Sequence, residues 1–131
     1  MNESNVEIVR ELYRGLEEEG GWPDALLDDD VEWVNPPDAV ETGIRRGREA
    51  FHRATNSTAE AFDESQVEPQ EWIDAGDQVV LLCDWVVRGR ASGLERSQPQ
   101  GHVWTLRDGK AVSFAWFNEH AAALKEAGIE R

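Results

Sequence analysis

Hydrophobic positions recur at helical spacing in the first half of the chain and at every second position in most of the rest, and this change of period divides the sequence. Ser4 followed by Glu7 forms a capping box, and Val6, Val9, Leu12, Tyr13 and Leu16 share one face until Gly20 and Gly21 stop the helix. A short helical turn containing Leu26 and Leu27 follows Trp22 and Pro23 and leads into a strand with Val31 and Trp33. Asn35, Pro36, Pro37 and Asp38 end that strand, because proline removes ladder donors. Thr42, Gly43 and Ile44 add a short strand, and helix signals resume after Gly47, with Ala50, Phe51, Ala54, Thr58, Ala61 and Phe62 on one broad face.

From Asp63 onward the helical period is lost. Val67 to Ile73 reads as a strand in which Pro69 marks an edge position or a bulge, and it runs to a turn at Ala75, Gly76 and Asp77. Gln78 to Arg88 is nearly continuous in Val and Leu, as expected of a strand covered on both faces. After a turn from Gly89 to Gly93, a strand starting near Leu94 carries the polar stretch Glu95 to Gln100 and continues with His102, Trp104 and Leu106 on one face. Asp108 and Gly109 signal a hairpin, and the return strand Ala111 to Phe117 leads Phe114, Trp116 and Asn118 along one face before a short helix bearing Ala122, Leu124 and Ile129. This order predicts an α+β domain with helices on one face of a strongly bent sheet. The aromatic row interrupted by His102 and Asn118 suits the wall of a pocket.

A length of 131 residues predicts a single domain, residues 1–131, large enough to enclose a cavity of ligand size. With 13 Lys plus Arg against 27 Asp plus Glu, net −14, the chain lacks the concentrated basic surface that nucleic acid needs and repels anionic membranes. Arg45, Arg46, Arg48 and Arg53 are diluted by Glu41 and Glu49 and read as a solvated helix start, with an anion site as the alternative. No charged-then-apolar leader and no apolar run near ~18 residues is present, so neither secretion nor membrane insertion is expected. The single Cys83 excludes an intrachain disulfide and fits a reducing compartment, from which a cytoplasmic location is expected. Within the apolar run Val79 to Val87 it reads as a small buried hydrophobe rather than a nucleophile.

Five segments together carry a family resemblance: the Asn5 to Leu16 helix, Asp29-Asp30-Val31-Glu32-Trp33, Gly47-Arg48-Glu49-Ala50-Phe51, Ala75-Gly76-Asp77-Gln78-Val79-Val80, and His102 to Gly128. In their order and spacing the chain resembles the nuclear transport factor two-like superfamily, and within it the SnoaL-like polyketide cyclase and ketosteroid isomerase-related branch. The resemblance implies a cone-shaped fold, a curved antiparallel sheet packed on three helices around a deep apolar pocket. It also implies a homodimer through the outer sheet face, here carrying Val103, Thr105 and Phe117.

Ketosteroid isomerases of this fold pair a carboxylate base on the first strand with a tyrosine and a protonated acid that hold an enolate oxygen. Matched onto this chain, the resemblance places Tyr13 at the tyrosine, Asn35 at the base and His102 at the second donor. Asn118 stands where many SnoaL-like chains carry an acid. An amide cannot accept a proton from carbon near neutral pH, so the steroid-type route lacks its base. His102 is the remaining group that titrates near neutrality and pairs with Tyr13 as a candidate acid and base. Asp84, with Arg88 four residues on, is a second candidate acid of the epoxide-hydrolase kind.

His52 and His120, among charged neighbours, read as solvated, and no histidine spacing suggests a metal. No cofactor is implied. Trp33, Trp104 and Trp116, joined by Phe114, fall where the pocket belongs and favour a flat hydrophobic ligand. Three functions follow: a cofactor-independent isomerase or cyclase acting on an apolar carbonyl compound through His102 and Tyr13, with Asn35 and Asn118 orienting it; a non-catalytic binder of small hydrophobic molecules; and a structural or protein-interaction module.

Overall fold

A computed structural model describes residues 4–37, 39, 43–60, 64–89 and 93–130. Helix α1 (Asn5–Glu19) begins at Ser4, whose hydroxyl accepts the Glu7 amide N–H at 3.2 Å, and ends at Gly20, which takes the left-handed conformation (φ 78°) and donates its N–H to the Leu16 carbonyl. A single 3-10 turn, Asp24–Leu26, leads into β1 (Leu27–Asn35), β2 (Gly43–Arg46), α2 (Arg48–Glu60), β3 (Glu64–Ala75), β4 (Gln78–Arg88), β5 (Glu95–Arg107), β6 (Lys110–Phe117) and α3 (His120–Glu126). The expectations placed on Asp38, Glu41, Thr42, Ala61, Phe62, the Thr58 side chain and the middle of the Gly89 to Gly93 turn lie outside the described residues.

The strands form a six-stranded, curved, unclosed sheet in the order β2-β1-β6-β5-β4-β3. Every pair is antiparallel except β1 with β6, which run parallel. These two strands lie at opposite ends of the chain, so no hairpin dictates their relative direction. β3 is an edge strand with a register shift between Pro69 and Glu71, the place where the sequence put an edge or a bulge.

The concave face packs against α1 and α2 through Val9, Leu12, Phe51, Val79, Leu81 and Trp104, none of which is measurably exposed. Each such side chain stabilises the fold by about 1.5–3 kcal/mol through burial. The outer face holds a second, smaller cluster of Val80, Leu82, Val103 and Ala123. Here the expectation of helices on one face is corrected: α1 and α2 share the concave face, whereas α3 crosses the outer one. Gly101 permits this, since a Cβ there would stand 2.2 Å from the Ala123 Cβ. Val103, expected on a free outer surface, is instead covered by α3 of its own chain. Both faces of β4 are thereby buried, which accounts for its near-continuous Val and Leu content.

Candidate functional site

Alternation along β5 turns Gln98, Gln100, His102 and Trp104 toward the concave face, opposite Trp85, Cys83, Leu81 and Val79 of β4. The neighbouring β6 presents Phe114 and Trp116 to the same side, across from Trp104 and His102. These strands and the C-terminal end of α1 enclose a cavity of about 530 Å³. Its apolar walls are Leu16, Trp22, Trp33, Trp85, Phe114 and Trp116; its polar groups come from Thr55, Ser65, Gln98, Gln100, His102 and Asn118. Among the described residues no Asp, Glu, Lys or Arg lines it, although such residues make up 31% of the chain.

A hydrogen-bonded chain runs through the wall. Trp104 Nε1–H donates to the Tyr13 hydroxyl at 2.9 Å, the Tyr13 hydroxyl meets His102 Nδ1 at 2.6 Å, and His102 Nε2 meets Gln100 Oε1 at 2.9 Å. Because Gln100 Oε1 can only accept, the imidazole carries its proton on Nε2, and Nδ1 accepts from Tyr13. Burial pushes His102 down to about 3 and Tyr13 well above the usual phenol value, with the neighbouring Cys83 adding to the latter, so both rings are neutral near pH 7. The Cys83 thiol donates to the Gln100 carbonyl at 3.5 Å and is pushed up to about 12, first by burial and then by Asp84. It is a small buried side chain and not an activated nucleophile.

Most of the candidate residues meet at this cavity, in unequal ways. His102, Trp33, Phe114, Trp116 and Asn118 line it. Tyr13 stands behind His102 and borders a separate recess between α1 and β3. Asn35 is not a wall residue; its Oδ1 accepts from Trp33 Nε1 at 2.8 Å and from Trp116 Nε1 at 2.9 Å, tying two wall rings together. Trp104 also fails to reach the cavity, since it is sealed behind Trp22 and Phe114, with ring centroids 5.3 and 4.6 Å away. Asp84 lies on the outer face, where it accepts from Gln70 Nε2 at 2.7 Å, and Arg88 stands 3.9 Å from Glu95; neither reaches the cavity. The register explains the miss, for Asp84 has the opposite parity to Cys83 on β4.

Among the wall residues that escaped the sequence reading are Trp22, Trp85, Gln98 and Gln100. The two glutamines share the parity of His102 on β5, so extending the alternation backward through the polar stretch reaches them; Trp22 sits in a connection with no period to read. His52 and His120 are not simply solvated: the first contacts Asp24 at 2.6 Å, and the second donates to the Cys83 carbonyl at 3.0 Å. The helix start expected of this cluster holds only for Arg48 and Arg53, paired with Asp29 and Glu49; Arg45 and Arg46 belong to β2, where Arg46 pairs with Glu32. Among the described residues no group of His, Cys, Asp or Glu is arranged to hold a metal, and no described helix is long and apolar enough to cross a membrane.

Residues 9–114 match the model of the SnoaL-like domain. The chain belongs to this family. Solved structures described as nuclear transport factor two-like share its fold. A nuclear transport factor two-like protein of unknown function from Burkholderia pseudomallei K96243 is 23% identical, with 95% of this chain and 97% of that one covered at a TM-score of 0.74. TerC, co-crystallised with polyporic acid, is 25% identical over 95% of this chain and 98% of its own, also at 0.74. A hypothetical protein with a ketosteroid isomerase-like fold from Catenulispora acidiphila DSM 44928, in complex with trimethylamine, is 17% identical over 98% and 96% at 0.72. No curated protein matches the chain significantly.

Proposed function

We propose that this SnoaL-like domain binds a small, flat, hydrophobic molecule in the concave cavity and does so without turning it over. The observation that carries this reading is the wall itself: Trp22, Trp33, Trp85, Trp116 and Phe114 surround a space of about 530 Å³ free of charged side chains among the described residues. Among the described residues proton abstraction has no suitable base in it. Asn35 and Asn118 are amides, and His102 is held neutral with both nitrogens engaged, whereas a general base works best with a pKa near the operating pH. The co-crystallisation of TerC with polyporic acid, at 25% identity, lends support to a small organic ligand. Tryptophan quenching by planar aromatic compounds tests the reading: saturable quenching with the compound recovered unchanged is expected, and the absence of any binding overturns it.

A second reading is a cofactor-independent isomerase or cyclase, and the 2.6 Å contact between Tyr13 and His102 favours it. There a substrate carbonyl displaces His102 from the Tyr13 hydroxyl, and Asn118 orients it. Turnover that is lost in His102→Ala distinguishes this enzyme from the binder. We further propose a homodimer through the part of the outer sheet face that α3 leaves open, where Ile44, 61% exposed, stands beside Val34. A monomeric mass by sedimentation equilibrium overturns it.

A further inference from the structure

The cavity's hydrogen-bonding capacity is nearly all engaged within the protein, and what is left over has a definite chemistry. Trp22 Nε1–H donates to Thr55 Oγ1 at 2.7 Å, Trp85 Nε1–H to Ser65 Oγ at 2.8 Å, and Trp33 and Trp116 to Asn35, so these indoles offer a ligand their faces and no donor. The Thr55 hydroxyl donates to the Phe51 carbonyl at 3.2 Å. Both His102 nitrogens are bonded.

Three primary amides remain. Gln98 Nε2–H donates to Asn118 Oδ1 at 2.6 Å, and Gln100 Oε1 accepts from His102. Gln98 Oε1, Gln100 Nε2 and Asn118 Nδ2 have no partner among the described residues. Gln98 is itself exposed, and no buried side-chain nitrogen or oxygen of the other described residues lacks a partner, so these atoms reach open space at the cavity that all three residues line. Gln100 and Asn118 come one step beyond the Gly101–Phe117 pair, the last of the β5–β6 ladder, and Asn118 is tied to Gln98 of β5, so the three amides lie at one end of the cavity. Two N–H donor groups and a single amide acceptor are thereby gathered there.

We propose that Gln98, Gln100 and Asn118 form an amide cluster that determines specificity, selecting an uncharged planar aryl ketone. Its carbonyl oxygen accepts from Gln100 Nε2 and Asn118 Nδ2, and a neighbouring hydroxyl, where the ligand has one, donates to Gln98 Oε1. The inference rests on the binding reading above and adds the class of ligand to it. Charged ligands are rejected because no described wall residue carries an opposite charge, and an unpaired ion taken out of water is strongly penalised. Hydrocarbons of the same shape are disfavoured because they leave the amide N–H groups without partners on desolvation.

Three matched probes of one shape separate the outcomes: 9-fluorenone, fluorene and 9-fluorenone-2-carboxylate, titrated against the intact protein by calorimetry. Fluorenone is expected to bind at least about fivefold more tightly than fluorene, the worth of one neutral hydrogen bond, and more tightly still than the carboxylate. Asn118→Leu is expected to bring the ketone-to-hydrocarbon ratio close to one. Asn118→Asp, nearly isosteric and still able to accept from Gln98, serves where the leucine variant fails to fold and is expected to weaken fluorenone selectively. Equal binding of fluorene or of the carboxylate by the wild type, or an unchanged ratio in the folded variants, overturns the amide cluster and leaves the binding reading standing. Failure of all three probes to bind removes the binding reading and this inference together.

Discussion

Tyr13 and His102, 89 residues apart, share a buried hydrogen bond of 2.6 Å. It ties α1 to β5 and fixes the orientation of an imidazole at the cavity wall, while the hydroxyl also accepts from Trp104. Tyr13→Phe leaves both a buried acceptor on His102 and a buried donor on Trp104 without partners. At about 1–3 kcal/mol for each orphaned group, a stability loss of about 2–6 kcal/mol is expected by urea denaturation. A loss below about 1 kcal/mol would show that the hydroxyl is not satisfying two buried groups.

The depressed pKa of His102 makes a prediction about acid. Its folded value of about 3 lies below the ordinary 6.5, so between these values the unfolded chain binds the additional proton. The stabilisation from this group is fully present above about pH 6.5 and is lost as pH falls toward 3, with a limiting slope of about 1.4 kcal/mol per pH unit. Lowering the pH also relieves repulsion within a chain of net charge −14, which acts in the opposite sense. The difference between wild type and His102→Gln isolates the histidine: wild type is expected to lose stability faster between pH 6.5 and 4.5, and parallel denaturation profiles would refute the assignment.

Asn35 has one oxygen serving two indoles. Asn35→Ala is expected to lose about 1–3 kcal/mol and to shift tryptophan emission to the red as Trp33 and Trp116 loosen. Asn35→Asp retains the acceptor and is expected to keep both rings in place, with emission like that of wild type. Equal emission spectra for wild type and the alanine variant would show that the amide does not hold the wall.

The contact between β5 and α3 is testable by a size exchange. Gly101→Ala puts a methyl group 2.2 Å from the Ala123 Cβ, so the helix must move, at a cost of about 1–3 kcal/mol. Ala123→Gly is expected to recover much of that loss in the double variant, giving a coupling energy in a double-mutant cycle. Strict additivity of the two changes would place α3 elsewhere.

Much of the architecture was legible because local rules suffice for it. The Ser4 cap, the Gly20 stop and the apolar face of α1 are all set by residues within a few positions of one another. The hairpin at Asp108 and Gly109 places both in left-handed conformations (φ 54° and 78°), as a two-residue turn requires. Alternation likewise put His102, Phe114, Trp116 and Asn118 on one side of the sheet. It could not tell that Trp104, of the same parity, is sealed behind its neighbours: parity assigns a face, and depth depends on what packs over that face. The same limit hid the true role of Asn35, whose two partners lie on β1 and β6.

The sequence by itself determined the elements, their order and which residues of a strand share a face, since helix caps, turns and a period of two are properties of near neighbours in the chain. Tertiary structure alone decided that α3 crosses the outer face at Gly101, that Asp84 points away from the cavity's groups, and that glutamines from a polar stretch enter an aromatic pocket. Each of those outcomes depends on which distant strand or helix comes to lie opposite. Curvature and register settle that only when the whole sheet has formed.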